Sequence, residues 1–175
     1  MNEVIKKNGI SYGIITGVVG ALITSAIYAI DLNLFTKWWI GILMLLVYII
    51  IGIVLLSKTK KELKGVFSFK EAFTTYFISA VIGVLISVGF TILLFNVIDP
   101  SAKDTLNEIV IKYTGEMMQK FGAPSSAINE ALKKMQESNP YSTIELLKGA
   151  VFTIVWYSLI GLLLALIFKS KPTQE

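Results

Sequence analysis

The chain has 175 residues, of which 54% are hydrophobic and 16% charged, with sixteen basic residues against twelve acids and a net charge of +4. All the basic residues are lysine; arginine, histidine and cysteine are absent, which excludes disulfides and thiolate metal sites and removes the commonest general base. No nucleic-acid partner is expected, because bidentate phosphate recognition favours arginine, and the apolar fraction is too high for an ordinary soluble domain.

Four runs carry no Asp, Glu or Lys: Gly9–Ile30, Trp38–Leu56, Ala72–Ile98 and Gly149–Phe168. Each is long enough to cross a bilayer. Helices are the form expected, since backbone groups in hydrocarbon must be satisfied within their own segment. The first run follows Lys6 and Lys7 and looks at first like a signal peptide. At about 22 residues, with no A-x-A site before Asp31, it reads as a retained span. A short loop, Asp31–Lys37, leads to Trp38-Trp39, a pair suited to a membrane interface.

The connector Ser57–Glu71 sets Lys58, Lys60, Lys61, Lys64 and Lys70 against Glu62 and Glu71. The positive-inside rule places it in the cytoplasm, and Lys6–Lys7 and Lys169–Lys171 then fall on the same side. Both termini are therefore expected to be cytoplasmic. Ser68-Phe69-Lys70-Glu71 forms a capping box at the start of the third span, with Ser68 and Glu71 as its partners. Asp99-Pro100 closes that span, because proline cannot continue the hydrogen-bond ladder. About 27 residues rise roughly 40 Å, so the third span must tilt or protrude from a hydrocarbon core of about 30 Å.

The connector Asp99–Lys148 spreads six lysines among seven acids and is assigned to the outside. Leu106, Ile109, Val110, Tyr113, Met117 and Phe121 recur at helical spacing, with Gly122 as a stop. After Pro124, a shorter stripe of Ile128, Ala131, Leu132 and Met135 ends at Asn139-Pro140. These stripes predict an extramembrane hairpin of two amphipathic helices. It can lie on the membrane, cover the bundle's mouth, shield its apolar face against the spans, or bind a partner through Leu106, Ile109, Tyr113, Met117 and Phe121. Ser142 and Glu145 predict a second capping box at the fourth span. The expected fold is thus all-α: a single membrane domain with four transmembrane helices in a bundle.

Small residues recur at every fourth position of the first span: Gly9, Gly13, Gly17, Ala21, Ser25 and Ala29. The third span repeats the theme with Thr75, Ser79, Gly83, Ser87 and Thr91. Such spacing lets helix backbones approach closely. Packing between these two spans is the expected use; a self-association face or a pore-lining stripe is the alternative. A four-residue repeat drifts around a 3.6-residue helix, so one neighbour cannot cover the whole stripe.

Chemistry is sparse. Ion pathways usually need an acid, base or histidine within the membrane, and the runs hold none, although hydroxyls leave a path for a neutral solute. Tyr48, Asn96, Thr153, Tyr157 and Ser158 are the polar groups that stand out inside the runs, and Trp156 and Tyr157 lie near the middle of the fourth, deeper than an aromatic belt would place them. Asp99, Asp104 and Glu108 form an acidic group that suits a helix N-terminus better than a metal site. No nucleophile–base pair, phosphate loop or zinc signature appears, so neither enzymatic activity nor a cofactor is expected.

Tyr12-Gly13, Ser68-Phe69-Lys70-Glu71-Ala72-Phe73 and Phe95-Asn96-Val97-Ile98-Asp99-Pro100, followed by a helical connector and a last span, resemble a bacterial family of small multi-pass membrane proteins, domain of unknown function 4199. The resemblance covers nearly the whole chain and implies four spans without assigning an activity, substrate or cofactor. The expectation is a bacterial inner-membrane protein with a non-enzymatic role in membrane organisation or protein interaction. Besides the lipid bilayer, its expected partners are another membrane or periplasmic protein and further copies of itself. The alternative is a small transporter or channel subunit for a neutral solute, assembled through the glycine-rich first span.

Overall fold

A computed structural model describes residues 2–170, so Lys171 of the C-terminal lysine pair lies outside the described residues. The described residues form six α-helices: α1 Glu3–Ile30, α2 Trp38–Glu62, α3 Phe69–Leu93, α4 Pro100–Lys120, α5 Ser125–Glu137 and α6 Thr143–Phe168. A 3₁₀ turn, Leu32–Thr36, joins α1 to α2, and a π turn, Leu94–Ile98, extends α3. Four of these segments, α1, α2, α3 with its π turn, and α6, are long and apolar enough to cross a membrane. Their exterior is hydrocarbon: Leu22, Ile50, Leu85, Leu163 and Ile167 are all more than half exposed. A continuous apolar exterior of this kind marks a membrane protein. At the lysine-rich end, α1 and α2 run past the charge-free segments to include Lys6–Lys7 and Lys58–Lys61.

The cap at Ser68 has both limbs. Glu71 N donates to Ser68 Oγ at 3.2 Å, and Ser68 N donates to Glu71 Oε2 at 2.8 Å. The cap at Ser142 has only one. Glu145 N donates to Ser142 Oγ at 3.4 Å. Ser142 N bonds instead to Asn139 O at 2.9 Å, and the Glu145 carboxylate accepts from Lys148 Nζ at 2.6 Å. The preceding turn supplies the acceptor that a full capping box would have needed from the glutamate.

Lys64 and Gly65 both adopt positive φ, 54° and 85°, and end α2 in a Schellman turn with Gly65 N bonded to Lys60 O. Phe67 is then held against the end of α6: Phe67 N donates to Ser170 Oγ at 2.8 Å, and Ser170 N donates to Phe67 O at 2.7 Å. This pairing joins the α2–α3 turn to the tail of the last span.

α3 is the central helix, packed along α1 on one side and α6 on the other. The α1–α3 contact is a parallel crossing in which small residues face branched ones. Gly9 meets Ile78, Gly13 meets Ile82 and Gly17 meets Ile86, while Gly83 of α3 meets Thr16. A Cβ built on Gly13 would stand 2.7 Å from Ile82 Cβ and 3.0 Å from Ser79 O. Beyond Gly17 the buried line of α1 shifts to Gly20, Thr24 and Ile27. Ala21 and Ser25 turn partly away, and Ser25 Oγ bonds its own helix at Ala21 O, 2.8 Å. That shift is the drift expected of a four-residue repeat on a 3.6-residue helix. Ser79 is buried against α1, and Ser87 Oγ donates across the crossing to Gly17 O at 3.3 Å.

Buried apolar residues gather in two clusters at opposite ends of the bundle. One, at the lysine-rich end, joins Leu56, Phe67, Ala72, Tyr76, Ala80, Leu164 and Ala165. The other joins Leu94, Phe95, Ala102 and Leu106 where α3 gives way to α4. Near the first cluster, buried Asn8 ties α1 to α2, donating to Thr59 Oγ1 at 3.2 Å and Glu62 Oε2 at 2.9 Å.

Candidate functional site

The largest polar structure on the chain is the α4–α5 unit, and its anchorage starts at Phe95. The preceding sequence from Ala72 carries no charge and no proline, so α3 continues into the π turn until Asp99-Pro100 stops it. Pro100 then serves as the first residue of α4, where its missing N–H costs nothing. Asp99 caps the new helix: Oδ1 accepts from Ala102 N at 3.0 Å and from Ser101 Oγ at 2.6 Å. Its Oδ2 accepts from Tyr28 Oη at 2.8 Å, which ties the root of α4 to the end of α1. These hydrogen bonds, from Ser101 first and then Ala102 and Tyr28, hold the Asp99 carboxyl below the usual carboxylate range.

Phe95 is fully buried and forms the hub of an aromatic group. Tyr28, Phe35 and Tyr141 meet it edge-on, with ring centroids 6.1, 6.0 and 5.8 Å away. Those partners come from α1, the 3₁₀ turn and the segment before α6, so one ring gathers four parts of the chain. Asn96 adds a hydrogen bond from Nδ2 to Tyr141 O at 3.0 Å. Burial in this cluster pushes the Tyr141 phenol up to about 12.

From this root α4 extends to Lys120. Gly122, at φ 74°, ends it in a Schellman turn with Ala123 N bonded to Met118 O. α5 packs back on α4, with Leu132 opposite Gly115. The proposed contact residues separate along α4. Leu106 is fully buried against the chain's own aromatic cluster and is unavailable to a partner. Ile109 and Tyr113 line a polar cleft of about 380 Å³ between α4 and the Asn33–Lys37 segment, with Glu108 and Lys112 at its wall. Met117 is half-buried, and Phe121 stands 79% exposed at the tip.

Asp104 and Glu108 are exposed on α4, and no group of three or more His, Cys, Asp or Glu capable of holding a metal occurs among the described residues. The glycine face of α1 is covered by α3 of the same chain, so Gly9, Gly13 and Gly17 do not form a free surface for another copy.

Nothing in the sequence separates Phe95 from its equally apolar neighbours, although Asn96 and Asp99 flank it. Asn8 sits just outside the first charge-free run, where a polar residue carries no signal in the sequence. No curated protein and no solved structure matches the chain. The family model described as Protein of unknown function (DUF4199) matches residues 11–170, and the chain belongs to that family.

Proposed function

We propose that the chain is a non-enzymatic protein of a bacterial cytoplasmic membrane that binds a partner protein through α4 and α5. In this reading the lysine-rich connector and both termini face the cytoplasm, in keeping with the lysine density around Ser57–Glu71. The α4–α5 hairpin stands outside the bilayer on the opposite face, with a polar surface and a braced root.

The observation that carries the reading is the contrast along one helix. Leu106 and Ala102 fix the base of α4 inside the chain, whereas Phe121 at its far end is 79% exposed. A large aromatic held out on a rigid support is the type of anchor that dominates interface energetics. Its neighbours Met117 and Met118 are half-buried and adaptable in shape.

A photo-crosslinking residue at Gln119 tests this in living cells. One protein species should be captured reproducibly, and Phe121→Lys should abolish that product while the thermal transition stays unchanged. Capture of lipid alone, or a protein product indifferent to Phe121→Lys, would refute the assignment.

A further inference from the structure

Between its two apolar clusters the bundle holds a lateral groove and a small inner chamber. Toward the lysine-rich end α2 and α6 are bridged by Tyr76 of α3, whose ring fills the space left by Gly52 and Gly161. A Cβ on Gly161 would stand 2.5 Å from Tyr76 Cδ1. Beyond that bridge α2 and α6 diverge around a groove of about 610 Å³, walled by Met44, Leu45, Phe152 and Trp156. Phe152 and Trp156 are 77% and 55% exposed, so the groove opens sideways, toward lipid. Through Met44, Tyr48, Thr153 and Tyr157 it joins an inner chamber of about 120 Å³ that reaches Thr16 and Ser87.

No charged side chain lines either space. Hydroxyls do, and their state differs. Thr16 and Thr153 donate to their own helices, at Tyr12 O (2.7 Å) and Gly149 O (2.8 Å), so their oxygens are left to accept. Tyr48 and Ser87 both border Gly20; the Ser87 hydroxyl donates to Gly17 O, so its oxygen accepts the hydrogen bond from Tyr48. The Tyr157 and Tyr76 side chains make no hydrogen bond among the described residues. An O–H without an acceptor is unfavourable in a hydrocarbon setting, where no bulk water can satisfy it.

We propose that this pocket binds a neutral lipophile made of a flat, carbonyl-bearing ring on a long apolar tail, the chemistry of an isoprenoid quinone, entering sideways from the bilayer. A ring carbonyl oxygen accepts from the Tyr157 hydroxyl. The ring lies among aromatic walls, where Tyr48 and Tyr157 already meet edge-on at 5.6 Å, and the tail follows the apolar groove. A phospholipid headgroup lacks a cation to receive its phosphate here. A diacylglycerol keeps its hydrated end at the interface, whereas Tyr48 and Tyr157 lie near the middles of α2 and α6. This binding site is independent of the partner reading for α4 and α5.

The test uses full-length protein in detergent with Trp38→Phe and Trp39→Phe, which leaves Trp156 as the sole indole. Titration with a decyl-substituted benzoquinone should quench Trp156 saturably, and excess dioleoylglycerol should not reverse it. Tyr157→Phe should weaken the apparent affinity by roughly tenfold, the loss expected for about one hydrogen bond, with an unchanged thermal transition. Quenching that rises linearly without saturation, that dioleoylglycerol reverses, or that the folded phenylalanine variant retains in full would overturn the proposal. Should that variant fail to fold, saturation and displacement in the tyrosine-bearing protein decide alone.

Discussion

Leucine at both Gly13 and Gly17 is expected to abolish the folded bundle in mild detergent at temperatures where the parent chain is stable. At Gly17 a Cβ alone would stand 2.5 Å from Ile86 Cβ and 3.2 Å from Gly83 O; at Gly13 the corresponding atoms are Ile82 Cβ and Ser79 O. The backbone oxygens cannot rotate aside, so α1 and α3 must separate. Overpacking a tight site typically costs about 1–3 kcal/mol, and two such sites on one crossing should reach the upper part of that range each. Helix association in lipid depends on close van der Waals contact, and separation forfeits it. Gly41 and Gly89 are the controls, since a Cβ at either meets nothing within 4 Å. Leucine there should change stability by no more than about 0.5 kcal/mol. A melting curve unaffected by the double change at Gly13 and Gly17 would contradict the parallel α1–α3 crossing.

The second large effect is expected at Phe95. Its replacement by alanine leaves a cavity where Tyr28, Phe35 and Tyr141 now meet one ring, and large-to-small changes of this kind cost about 3–5 kcal/mol. The loss should fall mainly on the root of α4, so limited proteolysis between α3 and α6 should accelerate along with the fall in melting temperature. Phe121→Ala removes the same side chain from an exposed position and should leave both measurements within error of the parent. Equal proteolysis rates for the two variants would mean that Phe95 does not anchor α4.

The spans were legible because hydrocarbon length and the absence of charge are strong signals that need no tertiary context. Helix ends were legible where a local device writes them, as at Ser68–Glu71 and Asp99-Pro100. The device at Ser142 was half right, since Asn139 O supplied a local acceptor that the four-residue pattern could not reveal. The small-residue spacing pointed to close contact between the first and third spans. It did not show where the contact line leaves the repeat, because the shift from Gly17 to Gly20 depends on how α3 tilts across α1. The contact face on α4 illustrates a further limit: periodicity groups Leu106 with Phe121, yet one is fully buried and the other 79% exposed. A stripe identifies one side of a helix without saying how much of it the chain itself will cover. The pocket around Tyr48 and Tyr157 lay furthest out of reach, because it arises from the divergence of α2 and α6.

Placement of α4 and α5 outside the bilayer, across the membrane from the lysine-rich connector, is the claim on which the interaction reading rests. The chain has no native thiol, so single cysteines report it cleanly. With Ser125→Cys, a membrane-impermeant maleimide should label the protein in intact bacterial spheroplasts, whereas Lys61→Cys should be labelled only after permeabilisation. Labelling of Lys61→Cys in intact spheroplasts, with Ser125→Cys protected until the membrane is opened, would contradict it.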